Sequence, residues 1–357
     1  MPAVTVAPPA PAAAARATRR RNLLLTIALA VATAVVAVVA VGIGPVAIPP
    51  DVVARIIAGE IGLGPAQASS TSDHSIVWMI RVPRVLLGLF VGAALAVAGV
   101  VIQALVRNPL ADPYLLGISS GASTGAAASI LFGIGGSLGA IALTGSAFVG
   151  ALAAIVLVLS IARIGGRLIT SRLVFAGIAV GFALTALTNF LVFAGQTRDG
   201  ARAVMFWMLG SLAQARWASV PLLVVLVVAA FVIFLVWARR FDALAIGDDT
   251  ALALGTHPTR FRAAAALVVS IAVAAAVAVS GLIGFVGLVV PHIARRLVGG
   301  RHSILLPVSA LIGAVLLVAA DALARVAFAP RELPLGIVTA LIGTPLLIAL
   351  VRRTITR

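Results

Sequence analysis

The hydrophobic residues of this chain fall into long apolar runs separated by short polar segments. A hydrocarbon core of about 30 Å requires about 20 apolar residues for one helix to cross it. Applied to the sequence, this rule predicts ten membrane spans. Nine or eleven spans are the alternatives, because only the glycines of SGLIGF separate the seventh span from the eighth. The predicted spans are residues 22–43, 84–106, 114–133, 140–162, 172–195, 218–238, 263–283, 284–299, 304–324 and 336–351.

The segment before the first span differs in character from the rest of the chain. Residues 1–21 are rich in alanine and proline and end in three arginines. This composition predicts a disordered cytoplasmic tail followed by a transmembrane domain over residues 22–357. A cleaved signal peptide also begins with basic residues, but the apolar run from Leu23 to Ile43 exceeds the usual 7–15 residues of its hydrophobic region. We therefore interpret the run as a signal-anchor helix.

The composition indicates that lipid is the surrounding solvent. Hydrophobic residues make up 62% of the 357 residues, and the mean hydropathy is +1.21. Soluble proteins are about 45–50% apolar, so a soluble fold could not bury this much apolar surface. We predict an all-α polytopic membrane protein with about ten transmembrane helices.

The charged residues predict the orientation in the membrane. The chain has 26 basic residues, all arginine, and 10 acidic residues, which gives a net charge of +16. With the N-terminus in the cytoplasm, 18 arginines lie in inside segments and 8 in outside segments, as the positive-inside rule requires. Both termini are therefore predicted to be cytoplasmic. The arginines form no single stripe interleaved with aromatic residues, which argues against nucleic acid as a partner.

Ten spans divide into two sets of five. An odd number of spans per set makes the two sets inverted relative to each other, which is a common transporter plan. A weak internal echo agrees, because the ten-residue spacing from Gly99 to Pro109 recurs from Gly281 to Pro291. The fold prediction is therefore two inverted five-helix halves.

Two overlapping G-x-S-x-G patterns, centred on Ser119 and Ser123, resemble the nucleophile elbow of serine hydrolases. Such an elbow requires a sharp strand-to-helix turn with histidine and acid partners, and here no strand precedes the pattern. Gly117, Gly121 and Gly125 instead recur every four residues, a spacing of small residues that lets helices approach closely in lipid. We interpret this segment as a packing face, and no catalytic residue is predicted.

Other common chemistries lack their residues in this chain. There is no cysteine, and the four histidines show no metal-ligand spacing, so no metal site is predicted. There is also no lysine, and a P-loop requires a lysine to bind phosphate. If transport by this chain is active and uses ATP, the motor is another polypeptide.

An ion-coupled secondary transporter that works alone is the alternative of another class. Such carriers place acidic residues or histidine within the membrane as a proton relay. Only His292 and Asp321 lie deep in the predicted spans, and Arg325 follows Asp321 by one helical turn. This scarcity favours a permease driven by a separate ATPase.

Seven sequence blocks occur in a fixed order between Arg81 and Val351. They are RVPR (81–84), GAALAVAGVVIQALVRNPLADPYLLGISSGA (92–122), MFWMLGS (205–211), ALAIGDDTALALG (243–255), GFVGLVVPHIARR (284–296), AD-x-x-AR (320–325) and ELPLGIVTALIGTP (332–345). With these blocks the chain resembles the FecCD/BtuC-like permeases, the membrane subunits of bacterial type II ABC importers for iron–siderophores, haem and cobalamin.

The resemblance implies a BtuC-like fold and a set of partners. These are a second permease subunit, identical or paralogous, two cytoplasmic ABC ATPases, an extracytoplasmic solute-binding protein and the lipid of the bacterial plasma (inner) membrane. ATP and Mg are expected on the partner ATPases, so no cofactor and no enzymatic activity are predicted for this chain. A ferric siderophore is the predicted cargo, with cobalamin or haem as the alternative.

The resemblance also implies that the inside loop at about 239–262 contains a coupling helix that docks in a groove of the ATPase. The residues assigned to it are Gly247, Asp248, Asp249, Ala251, Leu254 and Gly255. Carboxylates at the start of a short helix satisfy free backbone N–H groups. The small and apolar residues that follow would form the docking face. An ordinary amphipathic surface loop is the alternative.

Three arginines at the outer ends of spans are expected, from the resemblance, to dock acidic residues of the binding protein. Arg81 and Arg84 lie at the outer mouth of the second span, and Arg325 at the outer end of the ninth. Arginine suits bidentate pairing with carboxylates. The alternatives are contacts with lipid headgroups or an intrachain pair with Asp321 or Glu332.

The translocation path and its gate are assigned to the fifth span and the segment after it. The residues are Thr185, Thr188, Asn189 and Phe193 in the span, and Met205, Trp207 and Met208 in a short interfacial helix. The resemblance places this span beside the path and the short helix at the outer gate. The polar residues of the span could instead form hydrogen bonds between helices.

Overall fold

The computed structural model describes residues 12–63, 70–164, 167–168, 170–195 and 197–355, which form a bundle of helices. The helices of the first half are α1 (Ala12–Gly42), α2 (Pro50–Glu60), α3 (Thr71–His74), α4 (Val82–Val106), α5 (Ile118–Phe132), α6 (Ala142–Ala162), α7 (Thr170–Ala194) and α8 (Arg198–Met208). Those of the second half are α9 (Val220–Val236), α10 (Ala238–Ile246), α11 (Asp248–Ala253), α12 (Pro258–Ser280), α13 (Val286–Val298), α14 (His302–Val326) and α15 (Leu335–Ile355).

Short segments of other geometry connect these helices. A π-helical segment, Ser75–Arg81, leads directly into α4. The two-residue strands β1 (Arg163–Ile164) and β2 (Arg167–Leu168) pair antiparallel between α6 and α7. Three short 3₁₀ segments are present at Pro113–Leu116, Gly136–Ile141 and Trp217–Ser219.

Each of the ten predicted spans corresponds to one helix: α1, α4, α5, α6, α7, α9, α12, α13, α14 and α15. Seven helical segments in the described part of the chain are long and apolar enough to cross a membrane, and α5 and α15 contain shorter apolar stretches. A non-helical linker, residues 281–285, separates α12 from α13, so the division of spans seven and eight is correct. The 13 residues of α13 extend about 20 Å, which is too short to cross a bilayer core.

The expected disordered tail is helical where the structure describes it. Residues 12–21 form the first turns of α1 and continue without a break into the first span. Alanine and arginine are among the strongest helix formers, and the apolar helix that follows supplies the costly nucleus. The prediction of disorder is therefore wrong for residues 12–21, and residues 1–11 lie outside the described residues.

The two halves of the bundle run in opposite directions. Arg81, just before α4, donates to the carbonyls of Val41 and Gly42 at the end of α1. The indole N–H of Trp217, just before α9, donates to the carbonyl of Trp78. The end of α1 and the start of α9 therefore lie at the same end of the bundle. We call it the outer end, and the end with α10 and α11 the inner end, after the orientation that the arginines predict.

The helix contacts of one half are repeated in the other. α4 and α12 pack together at the centre; α4 also packs on α13 and α14, and α12 packs on α5 and α6. The pairs α1–α4 and α6–α7 correspond to α9–α12 and α14–α15. These contacts of the first half thus have counterparts in the second, which confirms the two inverted five-helix halves. The sequence echo does not belong to this correspondence, because Gly99 lies inside α4 whereas Gly281 follows the end of α12.

Glycines let α4 approach its neighbours at backbone distance. A Cβ atom on Gly99 would lie 1.9 Å from the carbonyl oxygen of Gly287 in α13. A Cβ atom on Gly92 would lie 2.2 Å from the carbonyl oxygen of Gly313 in α14. Helices in lipid associate through such close packing, because lipid tails provide no hydrophobic force between them.

The predicted packing face of α5 is confirmed for two of its three glycines. A Cβ atom on Gly121 would lie 2.4 Å from the carbonyl oxygen of Gly150. A Cβ atom on Gly125 would lie 2.1 Å from the carbonyl oxygen of Ser146. Both of these partners belong to α6. Gly117 differs, because it has a φ of 72° before the first residue of α5 and lies against α7. It ends a turn, and it is not part of the same face.

The glycine contact between α4 and α13 predicts a large effect of one methyl group. Gly99→Ala should destabilise the protein by about 1–3 kcal/mol, because the backbone of α13 would have to move. Gly145→Ala in α6 is the matched control, since nothing lies within 4 Å of its added Cβ atom and alanine favours a helix. Thermal unfolding in detergent measures both. Equal midpoints for the two variants would contradict the packing described here.

Candidate coupling and translocation sites

The predicted coupling helix is α11, which is tied to the bundle through one carboxylate. Asp248 accepts two hydrogen bonds from Arg262 of α12, at 2.7 and 2.8 Å, and lies 3.6 Å from the guanidinium of Arg107. Arg262 is 2% exposed and also donates to the carbonyl of Leu105 near the end of α4. The hydrogen bonds from Arg262 hold the pKa of Asp248 below its ordinary value. Asp248 therefore stays charged and fixes α11 to α4 and α12.

Asp248 and Asp249 differ from the expectation that both cap α11. The residue at the N-cap is Gly247, and no side chain satisfies the free N–H groups there. Asp248 lies in the first turn and uses its oxygens on arginine instead. Asp249 is exposed. The capping role is therefore wrong for Asp248, whose position in α11 is correct but whose partner lies in α12.

The loop carries an exposed apolar face at the inner end. Ile246, Leu252 and Leu254 are 74%, 49% and 67% exposed. Ala251, which was expected on this face, is fully buried, and its carbonyl accepts a hydrogen bond from the N–H of Thr256. Within α11, its small side chain is the buried one, so it packs toward the bundle. We name Ile246, Leu252 and Leu254 the coupling face.

α10 holds the coupling face in position. Phe241 of this helix is buried and lies 5.0 Å, between ring centroids, from Phe261 of α12. Asp242 accepts a hydrogen bond from the backbone N–H of His302 at 2.9 Å and lies 2.6 Å from its ring Nδ1. These contacts join α10 to α12 and α14. Gly255, with a φ of 77°, turns the chain after α11 toward α12.

Arg84 at the outer end is buried in an intrachain ion-pair cluster. It is 5% exposed and donates to both carboxylate oxygens of Asp321 at 2.9–3.1 Å. It also donates to both oxygens of Glu332, at 2.9 and 3.0 Å. Buried charges require such pairing and hydrogen bonding. The cluster joins α4, α14 and the segment before α15.

Arg81 and Arg325 bind backbone carbonyls around this cluster. Arg325 is 2% exposed, pairs with Asp321 at 3.1 Å and donates to the carbonyl of Ile43 at 2.8 Å. Arg81 is 5% exposed and donates to the carbonyls at the end of α1 and to that of Val46. All three arginines are buried within the chain. The intrachain pair with Asp321 or Glu332 is present for Arg84 and Arg325, whereas Arg81 binds backbone carbonyls. Docking of the binding protein by these three arginines stays a prediction.

The polar residues predicted on α7 point in two directions. Thr188 is 2% exposed, and its hydroxyl lies 2.9 Å from that of Thr124 in α5. Thr185 donates to the carbonyl one turn earlier and lies 3.2 Å from the hydroxyl of Ser120 in α5. These two threonines join α7 to α5, as the hydrogen-bonding alternative expects, and Thr188 is buried there. Its assignment to the path stays a prediction.

The other face of α7 is exposed. Asn189 lies on it, and Phe193 is 87% exposed. Phe182 and Phe175, one and two heptads before Asn189, are 74% and 69% exposed. A large apolar face at this position is open to lipid or to another protein.

A mixed polar and apolar cavity of about 660 Å³ lies at the outer end, next to α8. Trp207 lines it together with Phe206, Gln214, Arg216 and Glu332. Met205 and Met208, also predicted at the gate, do not line this cavity; Met205 is 64% exposed and Met208 is half-buried. Trp207 is thus the predicted gate residue that the structure places beside an open volume.

The end of α8 meets two other chain segments at what we call the helix-end junction, formed by residues 209–211, 280–283 and 335–336. The N–H of Ser211 donates to the carbonyl of Ser280 at 2.7 Å. The N–H groups of Leu335 and Gly336 donate to the carbonyls of Gly210 and Leu209, each at 2.9 Å. The ends of α8 and α12 and the start of α15 are therefore joined through backbone bonds.

Sequence reasoning missed both the junction and the arginines that hold α11. Gly210 and Gly281, with φ of 72° and 66°, do follow apolar segments and signal helix ends. The chain has 34 glycines, however, so the signal does not single these out. Arg262 looked like one more inside arginine, and no local pattern shows its burial. Among the described residues, no three histidine or acidic side chains are grouped so that they could hold a metal ion.

Comparison with known proteins gives consistent similarities. A model of the FecCD transport family matches residues 27–353. A solved structure of a metal-chelate type ABC transporter in an inward-facing conformation superposes with a TM-score of 0.80 at 30% identity, over 92% of this chain and 98% of that chain.

Several relatives resemble the chain over most of its length. The cobalamin import system permease protein BtuC of Halobacterium salinarum is 44% identical over 78% of this chain and 73% of its own length. The hemin transport system permease protein HmuU of Yersinia pestis is 40% identical over 80% of this chain and 86% of its own. The Fe(3+)-citrate import system permease protein YfmD of Bacillus subtilis is 39% identical over 79% and 83%.

The Asp248–Arg262 pair predicts an acid-sensitive attachment of α11. Because the pKa of Asp248 is lowered in the folded protein, its contribution is present above the ordinary carboxylate pKa and is lost as the pH falls through the lowered value. Asp248→Asn should therefore increase hydrogen exchange in α11 at neutral pH and remove the acid-dependent increase. Asp249→Asn, on the same helix but exposed, is the control. If the two variants exchange alike, Asp248 does not hold the helix.

Proposed function

The chain belongs to the FecCD transport family, a family of ABC importer permeases, and on this premise we propose that it is the permease subunit for import of a ferric siderophore. Two permease subunits enclose the path in the plasma membrane. Two cytoplasmic ATPase subunits bind ATP and Mg and switch the pair between outward-facing and inward-facing states. An extracytoplasmic binding protein delivers the chelate. The chain itself breaks no bond.

The observation that carries this proposal is the coupling face. Ile246, Leu252 and Leu254 are large apolar side chains at the predicted cytoplasmic surface, where water would otherwise surround them. The buried Arg262 and its partner Asp248 fix α11, which carries Leu252 and is followed directly by Leu254. A rigid apolar face at the end of a membrane bundle suits a groove on a soluble motor. Both termini are assigned to this same cytoplasmic side.

The translocation path is assigned to the exposed face of α7 and to the outer cavity beside α8. Asn189 and Phe193 are exposed on α7, and Thr185 lies next to them. A face with large apolar and few polar groups suits contact with a second permease and passage of a bulky chelate. Trp207, at the edge of the outer cavity, serves as a gate residue.

The cargo proposal rests on the ferric-citrate relative and on the similar metal-chelate transporter. The cobalamin relative is 44% identical, which favours cobalamin as a second candidate, and the hemin relative makes haem a third. All three cargoes are bulky ring or chelate complexes. The ion-coupled alternative needs a free intramembrane acid, and Asp321 is engaged by Arg84 and Arg325.

The coupling face predicts which surface substitution separates permease from motor. Leu254→Asp should reduce co-purification of the ATPase at least about tenfold, because a charge would have to be buried in the contact. Leu63→Asp is the matched control, since Leu63 is 81% exposed and lies beyond α2, away from the inner end. Retention of the ATPase by the Leu254 variant would place the contact elsewhere.

Cargo and energy source are tested together in proteoliposomes. The complex with its ATPase and binding protein should take up a radiolabelled ferric hydroxamate siderophore when ATP is enclosed on the ATPase side. Uptake should stop without ATP. Uptake driven by a proton or sodium gradient alone would contradict the ATP-driven function. ATP-dependent uptake of cobalamin or haem but not of ferric siderophores would contradict the cargo.

A further inference from the structure

Tyr114 is the chain's single tyrosine, and its hydroxyl clamps a distant backbone segment. The hydroxyl donates to the carbonyl oxygen of Ile283 at 3.1 Å and accepts a hydrogen bond from the N–H of the same residue at 3.1 Å. Ile283 belongs to the linker between α12 and α13, which lacks helical hydrogen bonds. Unpaired backbone groups within a membrane protein are costly, so the phenol supplies both partners that this residue needs.

The turn that carries Tyr114 is wedged between helices of both halves. Asp112 accepts a hydrogen bond from the Tyr114 N–H at 2.8 Å and so orients the turn. A Cβ atom on Gly287 of α13 would lie 2.6 Å from the Pro113 ring. A Cβ atom on Gly177 of α7 would meet the next carbonyl of the turn at 1.9 Å. The turn therefore cannot shift without moving α7 or α13.

The inner end of this turn reaches the coupling helix. Five residues separate Pro113 from Arg107, whose φ of 52° ends α4. Arg107 lies 3.6 Å from the carboxylate of Asp248, the residue by which Arg262 fixes α11. Arg262 also binds the last turn of α4 through the carbonyl of Leu105. A displacement of α11 therefore acts on the segment that leads to Tyr114.

The other side of the contact reaches the predicted gate. The linker held by Tyr114 begins at the helix-end junction, where Ser280 binds Ser211 just beyond α8. The linker ends at Phe285, which has a φ of 70°, unusual and strained for a residue with a side chain. The Phe285 ring lies against Gly343 of α15. The linker thus contacts the end of α8 and the body of α15.

We propose that Tyr114 is a positioning residue that transmits movement of the coupling helix to the linker and the outer gate. This inference rests on the proposed ATP-driven function. In the proposed relay, the 107–113 segment moves with α11. The Tyr114 hydroxyl then pulls or releases Ile283, which lies between Gly281 and Phe285, two residues with positive φ. The junction then shifts the end of α8 and the start of α15 together.

Tyr114→Phe tests the hydroxyl alone, because the ring remains. The variant should assemble with the ATPase and hydrolyse ATP, but uptake of the cargo per ATP should fall about five- to tenfold, the effect expected from losing a hydrogen bond to a buried group. Ser270→Ala is the matched control: Ser270 is fully buried, but its hydroxyl donates to the carbonyl of Ala266 within the same helix, α12. That control should keep its uptake per ATP.

Gate movement gives a readout that a merely structural role would not change. The chain has no cysteine, so Met205→Cys, at an exposed position of α8, can be labelled alone with a membrane-impermeant maleimide. Its labelling rate should differ between nucleotide-free and ATP–vanadate-trapped complexes. The difference should disappear with Tyr114→Phe and persist with Ser270→Ala. If it persists with Tyr114→Phe at unchanged uptake per ATP, the inference is wrong.

A second pair of variants covers the case in which Tyr114→Phe does not fold. Asp112→Ala removes the acceptor that orients the turn and should reduce uptake per ATP, whereas Asp112→Asn keeps an oxygen there and should restore it. Equal uptake per ATP for both would overturn the inference. Absence of ATP-driven uptake in the unmodified complex would instead overturn the proposed function, and with it the relay.

Discussion

The centre of the bundle depends on how closely α4 contacts its neighbours α12, α13 and α14. Lipid provides no hydrophobic force to press helices together, and α4 solves this with glycines that bring its backbone against α13 and α14. Its counterpart in the second half, α12, also packs closely, because many of its buried residues are alanines with small side chains. Because both helices are buried along most of their length, the peripheral helices have a rigid centre on which to pack.

Much of this fold could be predicted from apolar runs, because bilayer thickness dictates helix length. All ten spans correspond to helices, and Gly121 and Gly125 pack as their spacing predicted. The failures share a physical cause. Residues 12–21 looked disordered because their local composition was considered without the apolar helix that extends them. The short α13 could not be foreseen, since only a three-dimensional neighbour explains a linker at 281–285.

The positions of the candidate site residues along the chain were predictable, but the residues that they contact were not. The coupling segment, α8 and the outer arginines lie where the sequence blocks placed them. Which of their side chains face inward was not predictable, because burial depends on contacts made by residues far away in sequence. Arg84 binds Asp321 from 237 residues away, and Tyr114 binds Ile283 from 169 residues away. No periodicity within one helix contains that information.

The same chemical pair has different exposure at the two ends of the bundle. At the outer end the Asp321 side chain is 2% exposed and lies between two buried arginines. At the inner end the Asp248 side chain is 40% exposed although its partner Arg262 is buried. A pair sealed from water is costly to open, because separation leaves an uncompensated charge. A half-exposed pair costs less to disturb, because water can replace a lost partner. The outer cluster therefore suits a fixed frame, and the inner pair suits a surface contact that moves together with α11.

The outer cluster also bears on how the chain is assembled during synthesis. α1 precedes the other described spans in the sequence, yet only 11% of its apolar window is buried in the bundle. The carbonyls at its end are bound by Arg81, and the next one, of Ile43, by Arg325. The contact of Arg325 with α1 can therefore form only after residue 325 has been synthesised. Complete attachment of α1 comes later than its contact with Arg81.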